Sequence, residues 1–304
     1  MKLNIAALLC SVSLLANLPA HATLNVFATV PEWGALAHEI GGDKLKVFVA
    51  TNALQDPHHV EAKPSLITRA RNADLVIATG AELEIGWLPV VLRESGNSRV
   101  MPGQPGYFEA AQQVRMLEIP QRLDRADGDV HAGGNPHIQT DARSFLPVGR
   151  SLAQRLAELD PANAAAYQAG YKAFADKWQA ALVRWEKQAA PLRGMPVAVQ
   201  HKAFVYLTDW LGLKEVATLE PKPGVDPSAA YLSRLAAQFA AKDGNAPKLV
   251  LRSVYNSPRA ADWISEKSGV PVVILPFTVG GSERARDLFG LFDDTVERLL
   301  KALK

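Results

Sequence analysis

The sequence predicts an α/β protein of two lobes, each a parallel sheet flanked by helices, joined by one long rigid helix. Three observations predict it. Short runs rich in Val and Ile recur along the chain, apolar without alternation, as strands buried on both faces do. Segments of helical spacing lie between them, and strand–helix–strand order means parallel pairing. One much longer helical pattern interrupts the series near the middle.

Residues 1–22 read as a secretory signal, with Lys2 in front, an apolar stretch over 5–18, and Ala20-His21-Ala22 as the cleavage site. The stretch falls short of the roughly 20 residues that span a bilayer, and Asn17 interrupts it, so cleavage after Ala22 and release into the periplasm are expected. Leu9 precedes Cys10 where lipid attachment favours a small residue. Cys10 is the single cysteine of the chain. Its removal leaves His, Asp and Glu to hold any metal.

Strand-like runs at 24–30, 45–50 and 74–79, alternating with helical segments at 33–40, 64–71 and 84–92, predict an N-terminal α/β lobe over 23–159. Asp160-Pro161 then supplies an N-cap and a first-turn proline. After it Tyr167, Tyr171, Phe174, Trp178, Leu182 and Trp185 recur every three or four residues, so one helical stripe carries them all. A linking helix over 160–190 follows, about 45 Å long at 1.5 Å per residue, its aromatic stripe read as packing. Runs at 196–199, 248–251 and 270–275, with helices at 227–241, 259–268 and 284–304, predict a C-terminal α/β lobe over 191–304.

A length of 304 residues suits two domains, and 48% hydrophobic against 21% charged residues excludes a disordered chain. Lys and Arg total 33 and Asp and Glu 31, a net charge of +2 that argues against a nucleic-acid partner.

Seven histidines are the chain's metal-binding and proton-transfer candidates. His21 leaves with the signal segment, and His38 reads as an ordinary helix residue. The other five fall in three polar stretches: Gln55-Asp56-Pro57-His58-His59-Val60-Glu61, then 129–137 with His131 and His137, then Gln200-His201-Lys202-Ala203-Phe204. Open α/β sheets bind ligands beyond the carboxyl ends of their strands, where such stretches meet. Neutral imidazoles suit zinc, which takes four roughly tetrahedral ligands. Asp56, Glu61 and Asp141 are candidates to accept an imidazole N–H and fix its tautomer. No His-Glu-x-x-His motif occurs, so spacing alone leaves open both a shared metal site and separate loop histidines.

Several segments, in order, carry a more specific signal. Asp56-Pro57-His58-His59-Val60-Glu61 is similar to Asp-Pro-His-x-Tyr-Glu, and Lys63-Pro64-Ser65 to Thr-Pro-Ser. Asn135-Pro136-His137, ending four residues later in Asp141, is similar to Asp-Pro-His-x-Trp-Leu-Asp, and His201-Lys202-Ala203-Phe204 to His-x-Ala-Phe. With Ile40-Gly41-Gly42-Asp43 and the segment 80–87, they resemble the metal-specific solute-binding proteins of ABC transporters, the zinc and manganese receptors of the bacterial envelope. The likeness runs over 29–303.

That resemblance implies that His58 and His137 of the first lobe and His201 of the second are the metal ligands. His59 takes the family's variable position, and His131, in a Gly-rich loop, becomes an auxiliary metal-capturing residue. The family usually supplies an Asp just after the last strand, whereas here Leu275 is followed by Pro276-Phe277-Thr278-Val279-Gly280-Gly281. Water, Glu61, His131 and Glu283 are the candidates for the fourth position, and Glu61 is also a candidate to brace a ligand. Three imidazoles favour Zn(2+) over manganese, which prefers carboxylate oxygen. The function implied is a periplasmic zinc receptor, monomeric and not an enzyme, delivering to an ABC permease in the inner membrane or to a periplasmic metallochaperone. A manganese receptor of the same family is the alternative reading, and a three-histidine zinc hydrolase the third.

Overall fold

The computed structural model describes residues 23–122, 128–241 and 246–303; the expected signal segment 1–22 lies outside the described residues. The first sheet is built from β1 (Leu24–Ala28), β2 (Leu45–Val49), β3 (Leu75–Ala78) and β4 (Tyr107–Glu109), all parallel, in the order β2-β1-β3-β4. The second repeats the plan with β5 (Pro196–Val199), β6 (Lys214–Thr218), β7 (Leu249–Ser253) and β8 (Val272–Leu275), in the order β6-β5-β7-β8. In each sheet the order in which strands are added reverses between its first and third strands, and the crevice beyond that point is where such sheets place ligands.

The central strands are continuous apolar runs because helices cover both faces: β3 is Leu-Val-Ile-Ala and wholly buried. Two strands do not read as strands in the sequence. β4 is three residues long, and β6, Lys-Glu-Val-Ala-Thr, is a half-exposed edge, so neither carries the signal of double-sided burial.

Proline at the start of α1 (Pro31–Gly41), α2 (Pro64–Arg71) and α3 (Leu88–Ser95) fixes where those helices begin, since the first N–H groups of a helix need no partner within it. The expected helix at 84–92 starts later, at Leu88, because residues 81–87 fold into turns. Two helices carry weaker sequence signals: α4 (Phe145–Leu159), which the linking helix follows directly, and the short α6 (Val205–Leu211). The remaining helices are α7 (Ala229–Ala240), α8 (Arg259–Ser268) and α9 (Leu288–Lys301). Among the described residues no helix is long and apolar enough to cross a membrane.

The linking helix is α5 (Ala164–Ala189), 26 residues and so about 39 Å. A 3-10 turn at Pro161–Asn163 precedes it, and Asp160 does not cap it but accepts from the Tyr167 hydroxyl at 2.8 Å. Its aromatic stripe is core: Tyr167, Phe174, Trp178 and Trp185 are all buried, against α1, α4 and α9. The Trp178 ring lies 5.2 Å from Phe145 and 4.9 Å from Phe289, and its indole N–H donates to the Ala142 carbonyl at 2.7 Å. Gly170 is required where α5 crosses the end of α1, since a Cβ there would stand 2.0 Å from the Ile40 carbonyl oxygen. One apolar core thus runs from the first lobe along α5 into the second.

Trp178→Ala is expected to lower the free energy of unfolding by about 3–5 kcal/mol, as for other buried large-to-small changes. Val183→Ala, on the solvent side of the same helix at 60% exposure, should stay within about 0.5 kcal/mol. Urea unfolding of both variants checks the contrast.

Candidate metal centre

His201 sits just past a strand, His58 in the loop after β2 and His137 in the long segment between β4 and α4, and each is positioned by local hydrogen bonds. In the loop after β2, the Asp56 carboxylate accepts from the His58 backbone N–H at 2.9 Å and lies 2.8 Å from its Nδ1. Pro57 between them fixes the turn, and the Trp87 indole N–H holds the Pro57 carbonyl at 3.0 Å. Burial pushes the Asp56 carboxyl up, but the hydrogen bonds and charge of His58 outweigh it and hold the group below its ordinary value. With Nδ1 committed to Asp56, the His58 Nε2 points inward, buried and without a hydrogen-bond partner.

Asn135-Pro136-His137 repeats the device: the Asn135 side-chain oxygen accepts from the His137 N–H at 3.1 Å. Asn135 in turn donates to the Lys202 carbonyl at 2.7 Å, which ties this turn to the second lobe. His137 is 1% exposed. Burial, with the charges of His58, His201 and His131, holds its pKa well below the ordinary value, so the ring stays neutral at physiological pH.

His201 follows β5 by two residues. Its Nδ1 lies 2.7 Å from Glu220, whose carboxylate also accepts from the Gly224 N–H at 2.8 Å. Glu220 is the site residue that the sequence reading missed, and a carboxylate two residues beyond the edge strand β6 is its only signal.

The ring centroids of His58, His137 and His201 stand 5.1, 5.6 and 5.4 Å apart, and one nitrogen of each lies within 4.8 Å of the others. The Nε2 atoms of His137 and His201 are 3.4 Å apart. Two nitrogens on a tetrahedral ion at 2.0–2.1 Å would be separated by about 3.3 Å. The His137–His201 separation is that of two nitrogens on one metal ion, and the third ring nitrogen lies within 4.8 Å of both.

The other candidates are placed differently. His131 stacks on His58, with centroids 5.5 Å apart and planes 20° from parallel, outside the converging set. Burial first, then the charge of His58, pushes its pKa down to about 4. His59 is exposed, 4.0 Å from Asp129. Glu61 faces solvent 3.8 Å from Lys63, and Glu283 is exposed in the loop after β8. Asp141 is turned to Arg143, at 2.7 Å, rather than to an imidazole. His38 is exposed on α1.

Where a carboxylate would follow the last strand stands Phe277, its ring 5.6 Å from that of His137. Its φ of +68° is a left-handed conformation that a bulky residue rarely adopts. The next residue, Thr278, donates its hydroxyl to Glu32 at the start of α1, a buried bond between lobes.

Three buried histidines brought together between two parallel α/β lobes joined by a long helix fit one class: a two-lobed solute-binding protein. Comparison with known proteins gives the family. The profile of "Zinc-uptake complex component A periplasmic", ZnuA, matches residues 26–302, and the chain belongs to that family. It is 23% identical over 285 residues to the high-affinity zinc uptake system protein ZnuA of Bacillus subtilis, covering 92% of this chain and 86% of that protein. It is 26% identical over 157 residues to the manganese ABC transporter substrate-binding lipoprotein scaA of Streptococcus gordonii; there the alignment spans 51% of this chain and only 47% of the relative. A crystal structure of ZnuA superposes with a TM-score of 0.75 at 21% identity, covering 93% of this chain and all of that one, and shows a shared fold.

Burial pushes the Glu32 carboxyl up to about 7 from an ordinary 4.5, against the opposing pull of the Thr278 hydroxyl. Between those values the folded chain holds a proton that the unfolded chain has lost, so this group's contribution to stability falls as pH rises from 4.5 to 7. Glu32→Gln cannot ionise. The stability difference between wild type and this variant should therefore move by about 3 kcal/mol in the variant's favour from pH 4 to pH 8, measured by urea unfolding at each pH.

Proposed function

We propose that this protein is an exported zinc receptor that captures the ion between its lobes and delivers it to a membrane ABC permease. The observation that carries the reading is the convergence of three buried imidazoles, with the His58 Nε2 left without a partner. Unpaired polar atoms in a dry interior are costly, and a cation held by all three lone pairs removes that cost. His58, His137 and His201 are the ligands in this reading.

The residues around the ligands set their chemistry. Asp56 and Glu220 accept the Nδ1–H of His58 and His201, which keeps the Nε2 lone pairs available and makes the rings better donors. Their two negative charges balance a divalent ion that three neutral rings leave uncompensated. An all-nitrogen set favours zinc over manganese, which is better served by oxygen. The name of the S. gordonii relative keeps manganese as the second reading. His131, neutral and stacked over His58, is an auxiliary imidazole on the approach to the site. The ligands come from both lobes, so moving the His201 loop against the first lobe opens the coordination shell and releases the ion. The permease is the partner placed to drive that movement, and no step of this cycle is a catalysed reaction.

The test is competitive binding with zinc and manganese offered together to the mature chain. One zinc per chain is expected, weakened at least a hundredfold in His201→Ala, with affinity falling as acidification lets protons compete for the imidazoles. Manganese winning the competition, or a zinc affinity that His201→Ala leaves unchanged, would overturn the reading.

A further inference from the structure

Three histidines supply three donors, whereas a tetrahedral ion takes four. Among the described residues no carboxylate joins the converging set. Asp56 and Glu220 stand behind the rings, bonded to the Nδ1 atoms of His58 and His201.

The segment after β8 brings an apolar wall instead of a donor. Phe277 is buried and packs edge-on against His137, and it also contacts Tyr255 at 5.1 Å and Phe204 at 6.1 Å between ring centroids. Its left-handed backbone is held by neighbours: Thr278 is bonded to Glu32, and the Gly280 N–H donates to Ala285 at 2.6 Å. Strain kept in place by surrounding bonds marks a built feature.

Another side of the cluster is open. A cavity of about 520 Å³ is lined by His137 and His201, with His131, Asn135, Lys202 and Lys222 around it. That volume lies in the range of small-molecule sites and is far more than one water fills. Lys202 is paired with Glu118, 2.5 Å away, so the cavity wall carries the ammonium groups of Lys202 and Lys222 together with the carboxylates of Glu118 and Asp129.

We propose that the ion is bound as a ternary complex, its fourth position taken by a carboxylate oxygen of a small solvent-borne molecule whose remainder occupies this cavity. The co-ligand coordinates without any bond in the protein being made or broken. A carboxylate reaches the ion from the side that has room, where this cavity meets His137 and His201, while Phe277 closes the other side. The proposal rests on the receptor reading above and adds to it the identity of the missing donor.

Cobalt(II) in place of zinc makes the coordination shell visible, because its visible absorption bands respond to each ligand. Acetate is the probe, added at constant ionic strength to the cobalt-loaded mature chain. The expected result is a saturable shift of the bands with their four-coordinate intensity kept. Bands that acetate leaves unmoved would overturn the proposal, because the fourth position would then be closed by the chain. Phe277→Asp supplies a carboxylate from the protein's own wall, and its acetate response should weaken at least tenfold. A full response in that variant would contradict the assignment of the fourth face; the wild-type titration decides the proposal even where the variant does not fold. Failure to take up cobalt or zinc at all is seen before acetate is added and would defeat the receptor reading itself.

Discussion

Three imidazoles are buried with a nitrogen of each within 4.8 Å of the others, and a dry interior leaves such crowded polar atoms costly unless a cation or a donor stands between them. Side chains from separate loops converge on that constraint. Asp56 and Asn135 each fix a histidine two residues on by accepting its backbone N–H. Glu220 fixes the third ring from the edge of the second sheet. Two of the ring nitrogens stand 3.4 Å apart, the separation expected for two donors on one tetrahedral ion.

Holding donors from two lobes in register requires a stiff frame. α5 provides it by burying four large aromatic residues in one core shared by both lobes, so the lobes cannot swing apart without exposing that core. The Asn135 bond to the Lys202 carbonyl and the Thr278 bond to Glu32 tie the lobes together on either side of the histidines. The first tie lies two residues from His137 and one from His201. Small loop shifts there change the coordination shell more than they change the core, which suits a protein that has to bind tightly and still let go.

Much of the fold is legible in the sequence because its central strands are buried on both faces and its helices open with proline. β4 and β6 are not, since an edge strand with one side in solvent carries little apolar signal. The helix expected at 84–92 begins at Leu88 because the preceding turn is set by Glu84, which accepts from the Thr29 hydroxyl and the Thr79 and Gly80 N–H groups. Of the site, the order of the Asp-Pro-His, Asn-Pro-His and His-x-Ala-Phe segments points to His58, His137 and His201, and these are the side chains that the structure brings together. Glu220 and Phe277 were not legible as site residues. Each depends on how far a loop carries a side chain past its strand, and that distance is a tertiary fact with no local pattern.

The central claim is that three imidazoles, one of them from the second lobe, hold a single zinc. X-ray absorption at the zinc edge of the loaded, mature chain tests it most directly. The account predicts a four-coordinate shell with three imidazole nitrogens at about 2.0–2.1 Å and one oxygen. A shell with one imidazole or none, or one dominated by carboxylate oxygen, would contradict it.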